Sequence, residues 1–293
     1  MMRLFRVVAS TGGIIGLYES DGTKFRNFRT PLDWIPLEPE ESILAGISRH
    51  YKWESTEKNP SELELCPTAF GEYHPRMYRP VYGYGQETES LQSEDTLSLI
   101  SGLGQLVTLV EHLSGLFRVI CPDKRNLKVY GHAIRNVILL ACTEVEAQWR
   151  GVLAANHYSK PQGHWTRKDY VKISEPLKLS DYQVALPLYP QIRPLAPFAT
   201  WNDQRSRKSL LWYDAYNAVK HDRESKFSQA KLQYAIESVV ACAIMLKSQY
   251  GVMTAWHGHL GNFFHFLTEP TWAEREKYLP PRDTGWVPVD YKF

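Results

Sequence analysis

Two kinds of hydrophobic spacing divide this chain. Up to about residue 30 the apolar residues fall in short runs, "RLFRVVAS", "GGIIGLYES" and "TKFRNFRT", parted by Thr-Gly-Gly and Asp-Gly. Runs of Val, Ile, Phe and Tyr punctuated by glycine turns predict strands and hairpins. "PEESILAGISRHYKW" (39–53), acidic at its start and basic at its end, predicts a short helix. Residues 54–92 are rich in Pro, Gly and Tyr and show no helical period. They read as an ordered, aromatic-pinned connection, because flexible linkers are poor in aromatics.

From residue 93 the spacing changes to three and four. Leu99, Leu103, Leu106, Val110, Leu113 and Phe117 predict a first long helix ending before Pro122, with Ser93 as its N-cap. Gly102, Gly104 and Gly115 lower its propensity and point to close packing with a neighbour. A stripe of Ile134, Ile138, Ala141, Val145, Trp149 and Val152 predicts a second helix over about 129–156. Val137 and Leu140 lie beside that stripe, and Glu144 and Glu146 flank it. A third helix is expected from near Ser206 to about Arg223. A fourth, over 226–250, turns Phe227, Ala230, Tyr234, Val240, Ala243 and Ile244 inward and stops at Gly251 in C-cap position. Between the second and third, prolines at 187, 190, 194 and 197 forbid a helix or a central strand, with a short helix expected near 166–173. The tail is less regular, with one short helix expected at "TWAEREKYL".

The expected architecture is mainly α: a four-helix bundle, its helices in two antiparallel pairs, with a small β-rich N-terminal annex. The expected boundaries are 1–92 for the annex, 93–250 for the bundle with a Pro-rich insertion at 157–205, and 251–293 for an aromatic tail packed on it.

Composition narrows the classes. Apolar residues at 43% and charged residues at 23% are ordinary globular usage and argue against disorder. The aromatic share of 13% is high and reads first as core and clamped loops. A net charge of +2 is no polyelectrolyte signature, so broad electrostatic binding of DNA is not implied; "RSRKS" at 205–209 is the best local basic patch. Cys66, Cys121, Cys142 and Cys242 are scattered without a CxxC pair, which supports neither a zinc site nor a disulfide framework and fits a reducing interior. No uninterrupted apolar run reaches the ~18 residues of a membrane span. Arg6 interrupts the apolar start, and no small-residue cleavage motif follows. The chain reads as soluble and cytoplasmic, with no membrane partner.

The chemistry concentrates in "YNAVKHDR" (216–223). On a helix, Asn217 and His221 are four apart and Lys220 is three from Asn217, so the three form one polar patch near the C-terminus. Lys220, His221 and Arg223 in the last turn also complement the helix dipole, and Asp222 is expected to pair with a nearby cation. Glu146 or Glu144, paired with Lys220 or His221 across the bundle, would make the same residues a structural clasp, since buried charges persist when paired.

Taken together, "AIRNVILLACTEVEAQW", the helix ending "YNAVKHDR" and the apolar "FSQAKLQYAIESVVACAIML" resemble the HEPN superfamily over roughly residues 93–250. That resemblance implies a helical bundle, frequently a homodimer, found in toxin–antitoxin and phage-defence systems and working beside a partner protein. Its catalytic members are metal-independent endoribonucleases built on an Arg, four to six residues, then a His. His221 matches the histidine and Asn217 a polar position before it, whereas Tyr216, Ala215 and Asp214 stand where the arginine is required. The implied catalytic set is His221, Asn217, Lys220 and Arg223, supported by Glu146, Glu144, Arg135 and Asp222, with RNA or a nucleotide as ligand and neither metal nor cofactor. The alternative is a catalytically silent module that binds or scaffolds. "WHGHLGNFFHF" brings His257, His259 and His265 close in sequence with no carboxylate to complete a metal site. "STGGIIG" and "ISGLGQL" lack phosphate-loop spacing, and neither GxSxG nor HExxH occurs.

Overall fold

The computed structural model describes residues 3–9, 14–28, 33–53, 60–66, 70–82, 93–160, 163–201, 210–251, 259–281 and 285–293. "RSRKS", the start of "STGGIIG" and His257 lie outside the described residues, as does the side chain of Ser93. The chain divides into two compact units, one formed by Met1–Glu72 with Trp272–Gly285, the other by Tyr73–Thr271 with Trp286–Phe293.

The first unit is an antiparallel sheet of five strands. β1 (Arg3–Ala9), β2 (Ile14–Ser20), β3 (Lys24–Asn27), β4 (Ile35–Pro36) and β5 (Pro60–Leu65) take the order β4-β3-β2-β1-β5. β1 lies between β2 and β5, with Phe5 opposite Tyr18 on one side and Leu65 on the other. α1 (Ile43–Tyr51) begins where the Ser42 hydroxyl accepts the Ala45 N–H at 3.2 Å and ends at Lys52 in the left-handed conformation. Val7, Tyr18, Phe25, Ile47 and Trp53 close a core of their own.

The second unit carries α2 (Ser93–Phe117), α3 (His132–Ala155), α4 (Arg167–Tyr170), α5 (Leu211–His221), α6 (Arg223–Lys226), α7 (Leu232–Tyr250) and α8 (His259–Phe263). β7 (Gln183–Ala185) pairs with β8 (His265–Thr268), and β6 (Glu72–Tyr73) with β9 (Val287–Pro288). α7 packs against α2, α3 and α5. Val239 through Leu246 are all buried, so this helix is apolar on every side, the mark of a core helix. Gly102 on α2 permits one close approach: a Cβ there would stand 2.6 Å from the Leu246 side chain. Gly251 ends α7 at φ +80°, where a Cβ would strike the Tyr78 ring. Trp149 stacks on Trp201 at 4.8 Å and meets Tyr213 edge-on at 5.2 Å, so an aromatic cluster fills the space between α3 and α5.

The expected mainly-α four-helix bundle is corrected by these elements. Among the described residues there are eight α-helices and a five-stranded sheet, and the class is mixed α and β. The sheet exceeds an annex because "PSELEL", inside the stretch read as a connection, pairs along β1 and supplies its fifth strand. Leu140, placed beside the buried stripe of α3, is 42% exposed. The third helix starts at Leu211, after Leu210 in a non-helical conformation, and stops at His221. "TWAEREKYL" forms only a single 3-10 turn at Glu274–Glu276. One described helix segment, Thr96–Phe117, is long and apolar enough to cross a membrane by length and composition; here its Leu106, Leu109, Val110 and Leu113 are buried in the protein core.

Candidate functional site

Why α5 ends inside "KHDR" is a matter of capping. Asp222 leaves helical geometry at φ −137°, ψ 70°, and its carboxylate accepts the Ser225 N–H at 3.2 Å and the Ser225 hydroxyl. It therefore caps α6, where the sequence suggested a cation as partner. These hydrogen bonds from Ser225 hold its carboxyl below the usual range. Arg135, on the first turn of α3, donates through Nε (3.3 Å) and Nη2 (3.2 Å) to the Val219 carbonyl, one of the acceptors a helix C-terminus leaves open.

A relay of polar groups joins α3 to α5 one turn further in. Glu146 accepts hydrogen bonds from the hydroxyls of Tyr213 and, at 3.4 Å, Tyr216. Lys220 Nζ donates to the Tyr216 hydroxyl at 2.8 Å and lies 4.8 Å from the centre of that ring. That hydrogen bond pushes the Lys220 ammonium up, against partial desolvation. Burial first, then the bond to Glu146, raises the Tyr213 hydroxyl far above its ordinary value. Arg167 extends the cluster, paired with Asp214 and set over the Tyr213 ring at 5.3 Å. Glu144 stands apart: it accepts from Gln148, whose own carbonyl accepts from Gln249. Asn217 is half-buried and donates to the Tyr213 carbonyl at 3.0 Å.

His221 and Arg223 differ from all of these. Both are exposed, and neither makes a hydrogen bond or ion pair with any described residue. Four residues after Arg223, Phe227 meets the His132 ring at 4.6 Å and the Tyr130 ring at 5.7 Å. Tyr130 is 52% exposed, and its backbone bridges to Lys231. The turn through α6 thus brings Phe227, half-buried, to the exposed Tyr130 and His132, a few residues along the chain from the exposed His221, Arg223 and Lys226.

The eight residues singled out from the sequence are therefore split. Glu146 and Lys220 meet through Tyr216. Arg135, Asn217 and Asp222 each hold backbone or a cap, Glu144 belongs to a separate glutamine chain, and His221 with Arg223 faces solvent. Sequence reasoning missed Tyr213 and Tyr216, whose i, i+3 spacing on α5 was the available signal, and it missed the Tyr130–His132–Phe227 trio, which only the chain reversal after α6 assembles. His259 and His265 are exposed, and no group of three or more His, Cys, Asp or Glu among the described residues could hold a metal ion. No protein-family model, curated protein or solved structure matches the chain.

Proposed function

We propose that the chain binds single-stranded RNA at the face around the end of α5, and that it binds without cleaving. The observation carrying this reading is the Tyr130–His132–Phe227 trio, two of its rings exposed and Phe227 half-buried, formed by the turn that directly follows the unengaged His221 and Arg223. Aromatic rings accept unstacked bases, and nearby cations meet the phosphates between them. Cleavage through a ribose 2′-hydroxyl asks for more: a base held in place by a second group, and a cation free to meet the charge on the phosphorane. Lys220 is engaged with Tyr216 and Arg135 with the Val219 carbonyl, while His221 has no described partner to orient it. Lys220, Glu146 and Arg135 are thus spent on holding α5 to α3.

The test is an anisotropy titration with labelled single-stranded RNA. Phe227→Ala is expected to weaken binding by roughly 5- to 150-fold, the range that about 1–3 kcal/mol of base stacking represents. A perfect RNA duplex should compete poorly, because its bases are not open to stacking. Affinity untouched by Phe227→Ala, or no binding by folded protein, would remove this reading.

A further inference from the structure

A second concave site lies between the loop after α2, the Pro-rich segment and the first turns of α7. It encloses about 450 Å³, within the roughly 300–1,000 Å³ usual for small-molecule pockets. Leu127, Ile192, Leu195 and Ile236 supply apolar walls. The site is pre-formed: Val184 and Leu195 exchange both backbone hydrogen bonds, at 2.9 and 2.8 Å, and Gln233 N–H donates to the Leu127 carbonyl at 3.0 Å. Among these walls stands one carboxylate, Glu237. Its Oε1 accepts from Gln233 Nε2 at 2.7 Å, and its Oε2 has no described hydrogen-bond partner. Desolvation raises its pKa against that single bond. Lys124 and Arg193, both exposed, complete the lining with positive charge.

We propose that this cavity is a binding site for a small heteroaromatic anion with two adjacent N–H donors, of which a guanine nucleoside monophosphate is the simplest example. The walls take the flat ring, Glu237 accepts the paired N–H groups, and Lys124 with Arg193 meets the phosphate. The site uses none of the residues of the RNA-binding face.

Calorimetric titration with GMP, guanosine and AMP tests the assignment. The expected result is saturable GMP binding, weaker by at least about tenfold for guanosine, which lacks the phosphate, and for AMP, which lacks the paired donors. Glu237→Gln and Lys124→Ala should each lose about tenfold or more in GMP affinity, and Phe227→Ala should lose none. Lys124 is exposed, so its variant remains informative even if Glu237→Gln fails to fold. No GMP binding at millimolar concentration by cooperatively melting wild type overturns the proposal. So does equal affinity for AMP and GMP, or GMP affinity that survives Lys124→Ala or a folded Glu237→Gln unchanged.

Discussion

At the scale of single residues, the polar groups near the end of α5 divide by whether they have a partner. Tyr213 is buried and bonded to Glu146, so Tyr213→Phe leaves a carboxylate short of one donor. The expected loss is about 1–3 kcal/mol in urea unfolding, the cost of stranding a partly buried acceptor. His221 is exposed and unbonded, and His221→Ala is expected to change stability by no more than about 0.5 kcal/mol. Equal destabilisation by the two changes would contradict the geometry. Glu237 gives a prediction with a pH sign. Its folded pKa is raised by desolvation, so ionisation burdens the folded state. Below the unfolded value of about 4.3 the carboxyl is protonated in both states and the burden vanishes. Glu237→Gln should therefore melt at or above the wild-type temperature at pH 7, with the difference fading as pH falls towards 4. A variant that melts lower at every pH would show that the carboxylate is more fully satisfied than Gln233 alone makes it.

At the scale of elements, α5 is fastened at two levels: Arg135 on the Val219 carbonyl and the Glu146–Tyr216–Lys220 relay one turn earlier. Arg135→Met removes the upper fastening and should cost about 1.5–3 kcal/mol, the range for hydrogen bonds from a charged donor. Faster amide exchange confined to the last turn of α5 would accompany it; exchange unchanged there would show that the capping by Arg135 is incidental. The helices of the second unit were legible because their buried faces repeat at three and four: the stripe on α3 from Ile134 to Val152 is buried throughout. Gly251 was legible as a helix end for the same kind of local reason, its positive φ. β5 was not, since "PSELEL" alternates weakly and gains its place only by pairing with β1, more than fifty residues away. The break at Asp222 was hidden too, because cap and helical continuation compete locally and the cap rests on the two hydrogen bonds that Asp222 accepts from Ser225. At the site, Glu146 and Lys220 were legible as a cross-helix connection, but the tyrosine that joins them looked like core. The aromatic trio required knowing that α6 turns the chain back to Tyr130 and His132.

At the scale of the whole molecule, the modest net charge of +2 means that the proposed RNA binding would have to come from one face rather than from the field of the protein. The salt dependence should accordingly be shallow: a plot of log affinity against log salt with a slope near −0.7 for each phosphate contacted, hence about −1.4 for contacts from Arg223 and Lys226. A slope several times steeper would place the binding surface elsewhere. The central claim, binding by an accessible aromatic and basic face whose neighbouring charges serve structure, is tested most directly by one experiment. Purified wild type and His221→Ala would be incubated with single-stranded RNA in EDTA, and both the bound fraction and the length of the recovered RNA measured. Bound RNA of full length is expected with wild type, and weaker binding of equally intact RNA with the variant. Shortened RNA with wild type and full-length RNA with the variant would contradict it and make His221 the base of a metal-independent nuclease.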